Sequence, residues 1–171
     1  MANIKRHSRE GWMYFVFDID NFEDIKPKIL NILDNAEAEP SDHVTRTDWS
    51  VDVGDPREYF DIIWEHIGKD MNAILRGNLG ITGWEVNNVW FHQYDDGSGF
   101  DWHWHSNCSF TNVCYIELPD GSKPEFIDPV TKEVIQANVK EGQVLVIPSF
   151  IMHRSPINRT GSRKTVVPFN I

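Results

Sequence analysis

Three histidines and an arginine have the types and spacing needed to hold a metal ion and an anion. His103 and His105 are separated by one residue, and His153 and Arg163 follow farther along the chain. Alternate side chains of a β-strand share a face, so His103 and His105 would project together. With His153 from a distant strand, they can occupy three adjacent positions around one metal ion and leave the opposite positions open. The planar guanidinium of Arg163 can hold an anionic co-substrate.

A tyrosine and a glycine precede the histidine pair at a characteristic spacing. Tyr94, Gly97 and His103 stand nine residues apart from first to last, and His105 lies two residues farther on. This spacing resembles the motif of the iron(II)/2-oxoglutarate-dependent oxygenases, in particular their prolyl-4-hydroxylase-like members. In those enzymes an acidic residue stands at the position of His105.

The chain after the histidine pair continues this likeness over residues 84–171. Residues 141–149 hold a glycine turn, an apolar strand and a proline, and His153 and Arg163 follow. A subfamily common in phages and bacteria is more similar still, because it carries His-x-His in place of His-x-Asp. Further positions typical of that subfamily are occupied here by Tyr115, Pro119, Gly121 and the Phe-Ile-Asp-Pro segment at 126–129.

The resemblance implies a set of cofactors and a reaction. Fe(II) would be held by the three histidines, and 2-oxoglutarate would chelate the iron. Arg163 would bind the far carboxylate of 2-oxoglutarate, together with Thr165, which shares its face in a strand, and with Tyr115 or Tyr94. The reaction would be hydroxylation of a peptide or a small molecule, with no catalytic side chain beyond the metal centre.

The third metal ligand has an alternative. Most of these enzymes use two histidines and one carboxylate. Asp101 has the same strand parity as His103 and can supply a carboxylate in place of His105. It can equally orient an imidazole N–H or lie in solvent.

Two other functions fit parts of the pattern. His105 in the acidic position is compatible with a three-histidine dioxygenase of the cupin type that does not use 2-oxoglutarate. A jelly roll can also be a non-catalytic binding or virion module. Four aromatic residues can either rim a substrate groove or pack the sheet: Trp90, Phe100, Trp102 and Trp104.

The order of elements predicts an α+β fold. Asp24 can cap a first helix, and a capping-box pair, Asp55 and Glu58 with Pro56 between them, predicts a second helix that Gly77 ends. Short strands separated by turn residues follow from Val86 onward. We expect one domain, with a mixed helical support in residues 1–83 and a double-stranded β-helix, or jelly roll, in residues 84–171. The helices should pack on one face of that jelly roll.

Composition restricts the partners. The chain has 171 residues and a net charge of −10, which argues against nucleic acid and anionic membranes. Cys108 and Cys114 would lie roughly 20 Å apart on one strand, too far for a disulfide. Free thiols and the lack of an apolar leader or spanning segment predict an intracellular, cytoplasmic protein. The sequence leaves the oligomeric state open.

Overall fold

The computed structural model describes residues 3–41, 43–52 and 54–171. Its elements in chain order are β1 (Lys5–Arg9), β2 (Trp12–Asp18), α1 (Phe22–Asn35), β3 (Glu39–Ser41), β4 (Val44–Thr47), α2 (Glu58–Asn72), β5 (Asn88–Val89), β6 (His92–Tyr94), β7 (Phe100–His103), β8 (Phe110–Glu117), β9 (Glu125–Ile127), β10 (Val134–Gln136), β11 (Gln143–Pro148), β12 (His153–Ser155) and β13 (Lys164–Asn170). A π-helical turn, Ala73–Asn78, continues α2.

The strands form two antiparallel sheets. The larger sheet has the order β1-β2-β11-β8-β13-β6-β4-β3, with β5 also paired to β13, and the smaller has the order β10-β9-β12-β7. Strands from the N-terminal half join the larger sheet, since β2 pairs with β11 and β4 pairs with β6. The architecture is an α+β double-stranded β-helix, as the sequence predicted.

Each face of the larger sheet has its own apolar core. One face packs against both helices, and its buried residues include Ile29, Ile63, Phe91, Val167 and Phe169. The opposite face lines the interior between the sheets, where the buried residues include Tyr14, Tyr94, Tyr115, Phe126 and Val166. Because alternate residues of a strand point to opposite faces, each position of β13 belongs either to the helix side or to the interior.

The starts of both helices differ from the sequence prediction. α1 begins at Phe22, before Asp24, and α2 begins at Glu58, so Asp55 and Pro56 lie outside it. Asp48, rather than a capping box, anchors the start of α2. Its buried carboxylate accepts a hydrogen bond from the Tyr59 hydroxyl at 2.7 Å and pairs with Arg57 Nε at 2.9 Å.

Two further predictions concern cysteines and membrane segments. Both Cys108 and Cys114 are free thiols, as expected. No helix among the described residues combines the length and the apolar character needed to cross a membrane.

Candidate metal centre and its two cavities

Strand pairing brings the three histidines together. His153, the first residue of β12, lies opposite His103, the last residue of β7. His105 lies just beyond β7, where its backbone N–H donates to the carbonyl of Ser149 at 3.0 Å. One ring nitrogen from each histidine lies within 4.8 Å of the other two. Three imidazole nitrogens at this separation can bind one transition-metal ion such as iron(II).

Backbone hydrogen bonds orient two of the rings. His103 Nδ1 lies 2.7 Å from the carbonyl oxygen of Asp101, and His153 Nδ1 lies 2.8 Å from that of Ile151. A carbonyl oxygen can only accept, so each Nδ1 carries the proton and each Nε2 keeps a lone pair. This arrangement of a metal-binding imidazole with its other nitrogen held by a backbone carbonyl is typical of metal sites.

Burial keeps the three imidazoles neutral. It lowers the pKa of His105 to about 4 and that of His153 to about 3, and it also lowers the pKa of His103. Neutral imidazoles are the form that binds a metal ion. The lone pairs are therefore available at neutral pH without competition from protons.

Asp101 lies outside this cluster. Its side chain is exposed, and Oδ1 accepts a hydrogen bond from the backbone N–H of Trp102 at 2.7 Å. The group of converging donors contains His105 instead. The geometry therefore favours a three-histidine site over one with two histidines and a carboxylate.

An inner cavity of about 60 Å³ lies behind the histidines, inside the jelly roll. Its wall includes Tyr94, Tyr115, Thr111 and Lys164 as well as the three histidines. Both tyrosines predicted to contact a co-substrate line this cavity, and that contact stays a prediction.

Lys164 is the cation of this inner cavity. Its side chain is 1% exposed, and Nζ donates to the carbonyl of Ser122 at 2.7 Å and to the hydroxyl of Ser155 at 2.8 Å. Burial lowers the Lys164 pKa to about 7. Among the described residues, no carboxylate lies within ion-pair distance of Nζ.

The structure does not bring Arg163 and Thr165 to the cavity. Arg163 pairs with Glu117 and Asp34, each at 2.7 Å, and the Thr165 hydroxyl bonds to the same Glu117 carboxylate. Arg163 and Thr165 share a face, as expected, but that face is the one that packs against the helices. The prediction that Arg163 lies in the cavity beside the metal site is therefore wrong. The side chain in that cavity is Lys164, because adjacent residues of a strand point to opposite faces.

An outer cavity of about 710 Å³ also reaches His103 and His105. Its lining residues are Ser41, Val44, Thr47, Trp49, Asn87, Asn88, Trp90, His92, Phe100, His103, Trp104, His105, Ser106, Asn107 and Asn170. Three of the four aromatic residues proposed to rim a groove are among them. The fourth, Trp102, lies outside, stacked under the Arg154 guanidinium at 4.5 Å.

Lys164 and His92 are among the cavity residues that sequence reasoning missed. Lys164 follows Arg163 directly, and both faces of β13 are apolar. The pattern of hydrophobic residues therefore could not show which of the two side chains points into the jelly roll. His92 lies two residues before Tyr94 in β6 and shares its face. Once the spacing to His103 had indicated Tyr94, strand alternation could have identified His92 as well.

Solved structures share this fold. A prolyl-4-hydroxylase from Pseudomonas putida matches with a TM-score of 0.70 at 13% identity, covering 95% of this chain and 94% of its own. The viral collagen prolyl hydroxylase of Paramecium Bursaria Chlorella virus-1, in complex with 2OG, has a TM-score of 0.61 at 17% identity, with coverage of 94% and 96%.

A third similar structure is HygX from Streptomyces hygroscopicus, with nickel, 2-oxoglutarate and hygromycin B bound. It has a TM-score of 0.66 at 9% identity and covers 91% of this chain and 81% of its own. Neither a protein-family model nor a curated protein sequence matches the chain. The fold of this chain is therefore the fold of the iron(II)/2-oxoglutarate oxygenases.

Proposed function

We propose that this protein is an iron(II)- and 2-oxoglutarate-dependent oxygenase that hydroxylates a C–H bond. In the overall reaction, substrate, O2 and 2-oxoglutarate give hydroxylated substrate, succinate and CO2. One oxygen atom enters the substrate and the other enters succinate. Bound Fe(II) would supply the activation of O2, and His103, His105 and His153 would hold it.

The observation that carries this proposal is the buried Lys164 ammonium behind the three histidines. A buried cation without an anionic partner is unfavourable. An ammonium group has three N–H donors, and Ser122 and Ser155 accept only two of them. The third donor and the uncompensated charge suit the far carboxylate of a 2-oxo diacid whose other end is at the metal.

Two further hydroxyl groups line the inner cavity. Tyr115 is buried and pairs with Val166, two residues from Lys164 in β13, so we assign it to the carboxylate site. The Thr111 hydroxyl is buried and has no hydrogen-bond partner in the described part of the chain. Thr111 pairs with Asn170 at the other end of β13, roughly 20 Å along the strand from Lys164, so it lies outside that site.

A three-histidine dioxygenase without 2-oxoglutarate is the second candidate. This candidate is favoured by the ligand set, which has no carboxylate among the converging donors. It is disfavoured by Lys164, because a reaction without 2-oxoglutarate leaves that cation with no anion to bind. A protein that binds no transition metal would instead be a non-catalytic jelly-roll module.

The hydroxylation reaction and the kind of substrate rest partly on the structural neighbours. These include prolyl hydroxylases, one of them from Trichoplax adhaerens with a hypoxia inducible factor peptide, and HygX with hygromycin B. A peptide or a small molecule would therefore be the substrate. We also propose a cytoplasmic setting and a phage-encoded origin, the latter supported by the viral neighbour.

The test is anaerobic binding followed by turnover. Iron-loaded protein should develop a visible charge-transfer band when 2-oxoglutarate is added without oxygen, and it should form succinate and CO2 when oxygen is admitted. Protein that binds iron but shows neither band nor succinate at millimolar 2-oxoglutarate would support the three-histidine dioxygenase instead.

A further inference from the structure

His92 lies at the junction of the two cavities with one ring nitrogen unpartnered. It lines both cavities, and its side chain is 9% exposed. Its Nδ1 lies 2.8 Å from the Tyr94 hydroxyl, and the described residues provide no hydrogen bond to Nε2. The Nε2 atom is therefore the side of the ring that a ligand can meet.

The Tyr94 hydroxyl has one hydrogen-bond partner among the described residues, His92 Nδ1 at 2.8 Å. Tyr94 is 3% exposed, and a hydroxyl has one proton to donate. If His92 Nδ1 donated this bond, the buried hydroxyl proton of Tyr94 would have no acceptor among these residues, which is unfavourable. Tyr94 is therefore the donor.

The direction of this bond sets the tautomer of His92. The Tyr94 hydroxyl donates to His92 Nδ1, which therefore accepts. A neutral imidazole has one N–H, and an accepting Nδ1 places that proton on Nε2. His92 therefore faces the cavity as a hydrogen-bond donor.

The outer cavity suits a ligand without charge. Its lining contains no Asp, Glu, Lys or Arg among the described residues, and a charged group buried there would lose hydration without gaining a partner. Trp49 and Trp104 line it and remain 53% and 57% exposed, which offers flat apolar surface to a bound molecule. A volume of about 710 Å³ is within the usual range for small-molecule sites.

We propose that the outer cavity takes an uncharged substrate whose carbonyl oxygen accepts a hydrogen bond from Nε2–H of His92. This inference rests on the proposed function, because it treats the outer cavity as the substrate site. His92 is thus a specificity residue, and Tyr94 is a positioning residue that holds its proton on Nε2. A peptide amide and a small neutral carbonyl compound share this chemistry.

The tautomer can be measured without metal or substrate. Nitrogen-15 NMR of histidine-labelled, metal-free protein should show His92 with the proton on Nε2. Tyr94→Phe should introduce the Nδ1–H tautomer, because it removes the hydroxyl that donates to Nδ1. Arg163→Met, which removes a neighbouring cation on the other face of the sheet, should leave His92 unchanged. Wild-type His92 with its proton on Nδ1 overturns the proposal.

The substrate class can be probed with matched small molecules. N-acetylglycine N-methylamide is uncharged, whereas N-acetylglycine is an anion and glycine N-methylamide is a cation on nearly the same skeleton. The uncharged probe should perturb the His92 Nε2 and the Trp104 signals and bind at least about tenfold more tightly than either charged probe. Equal or stronger binding of a charged probe, or no binding of the uncharged one, contradicts the assignment.

Two variants of His92 test the position of the donor. Glutamine can place an amide N–H near the position of Nε2, whereas asparagine places its amide near Nδ1. His92→Gln should keep most of the affinity for the uncharged probe and His92→Asn should lose about tenfold. The reverse order would overturn the role of Nε2. A longer blocked glycine peptide that binds more tightly than the single residue identifies a peptide substrate, and equal binding identifies a small molecule.

These measurements separate the two proposals. The tautomer and the probe affinities are read in metal-free protein, whereas the proposed function is read from the charge-transfer band and succinate. If the charge-transfer band is normal but His92 carries its proton on Nδ1, only the substrate inference is wrong. If the band is absent but His92 has the expected tautomer, only the proposed 2-oxoglutarate chemistry is wrong.

Discussion

Arg163 and Lys164 are neighbours in the chain, yet their side chains lie on opposite faces of the larger sheet. Arg163 pairs with Asp34 of α1 and Glu117 of β8 on the helix side. Lys164 points into the jelly roll, where Nζ bonds to Ser122 and Ser155. Two cations adjacent in sequence therefore have different tasks, one in packing and one in the inner cavity.

This difference predicts opposite results for two matched substitutions. Lys164→Met should weaken 2-oxoglutarate binding by roughly 30-fold to a few thousand-fold, since a charge-assisted contact in a desolvated site is worth about 2–5 kcal/mol. Arg163→Met should bind 2-oxoglutarate normally, because its partners lie outside the cavity. Calorimetry on protein loaded with manganese(II), followed by the anaerobic iron band, measures both variants. A larger loss for Arg163→Met would return the anion site to Arg163.

Metal binding should depend on all three histidines. His103→Ala, His105→Ala and His153→Ala should each lower the affinity for Fe(II) or nickel(II) at least tenfold, because each removes one of three converging donors. Asp101→Ala is the control and should keep nearly full metal affinity, as its carboxylate bonds to the Trp102 backbone. Isothermal titration of the four variants decides the ligand set. If Asp101→Ala loses the metal and His105→Ala keeps it, the third ligand is the carboxylate.

The affinity for 2-oxoglutarate should fall as the pH rises above about 7. Burial lowers the Lys164 pKa to about 7 in the free protein, and a bound carboxylate favours the charged form and raises that pKa. Binding therefore takes up a proton wherever the free protein has lost it, and the affinity drops by roughly tenfold per pH unit in that range. Titration in two buffers with different heats of ionisation measures the uptake. Lys164→Met should show none, and uptake that persists in this variant would assign the proton to another group.

Gly142 should be much less tolerant of a side chain than Gly121. Both have positive φ, +76° at Gly142 and +88° at Gly121, so alanine is strained at either position by about 1–2 kcal/mol. A Cβ at Gly142 would also lie 2.7 Å from the Phe22 ring, whereas at Gly121 the nearest atom is 3.9 Å away. Thermal or urea unfolding should show that Gly142→Ala costs clearly more stability than Gly121→Ala. Equal losses would mean that the ring of Phe22 moves aside freely.

Local patterns in the sequence were enough to predict the fold class and the three histidines. Alternation predicted that His103 and His105 project together, and the tyrosine spacing favoured His105 over Asp101. The three histidines do converge, because the pattern that indicated them depends on residues close in the chain or on the two-residue repeat of a strand. Tyr94 and Tyr115 line the same cavity as the histidines, and their contact with a co-substrate stays a prediction.

Tertiary structure decided which residues of β13 face the helices and which face the interior, and it also decided where α2 begins. Val166 and Val167 are both buried, one in each core, so hydrophobicity could not tell which face Arg163 and Lys164 would take. Pairing with β8, which includes a register shift between Thr165 and Val166, settles that choice. The start of α2 depends on Asp48, a partner outside the helix that no local capping pattern contains. Sequence alone thus determined which residues can hold a metal, whereas long-range strand pairing determined which cation stands behind it.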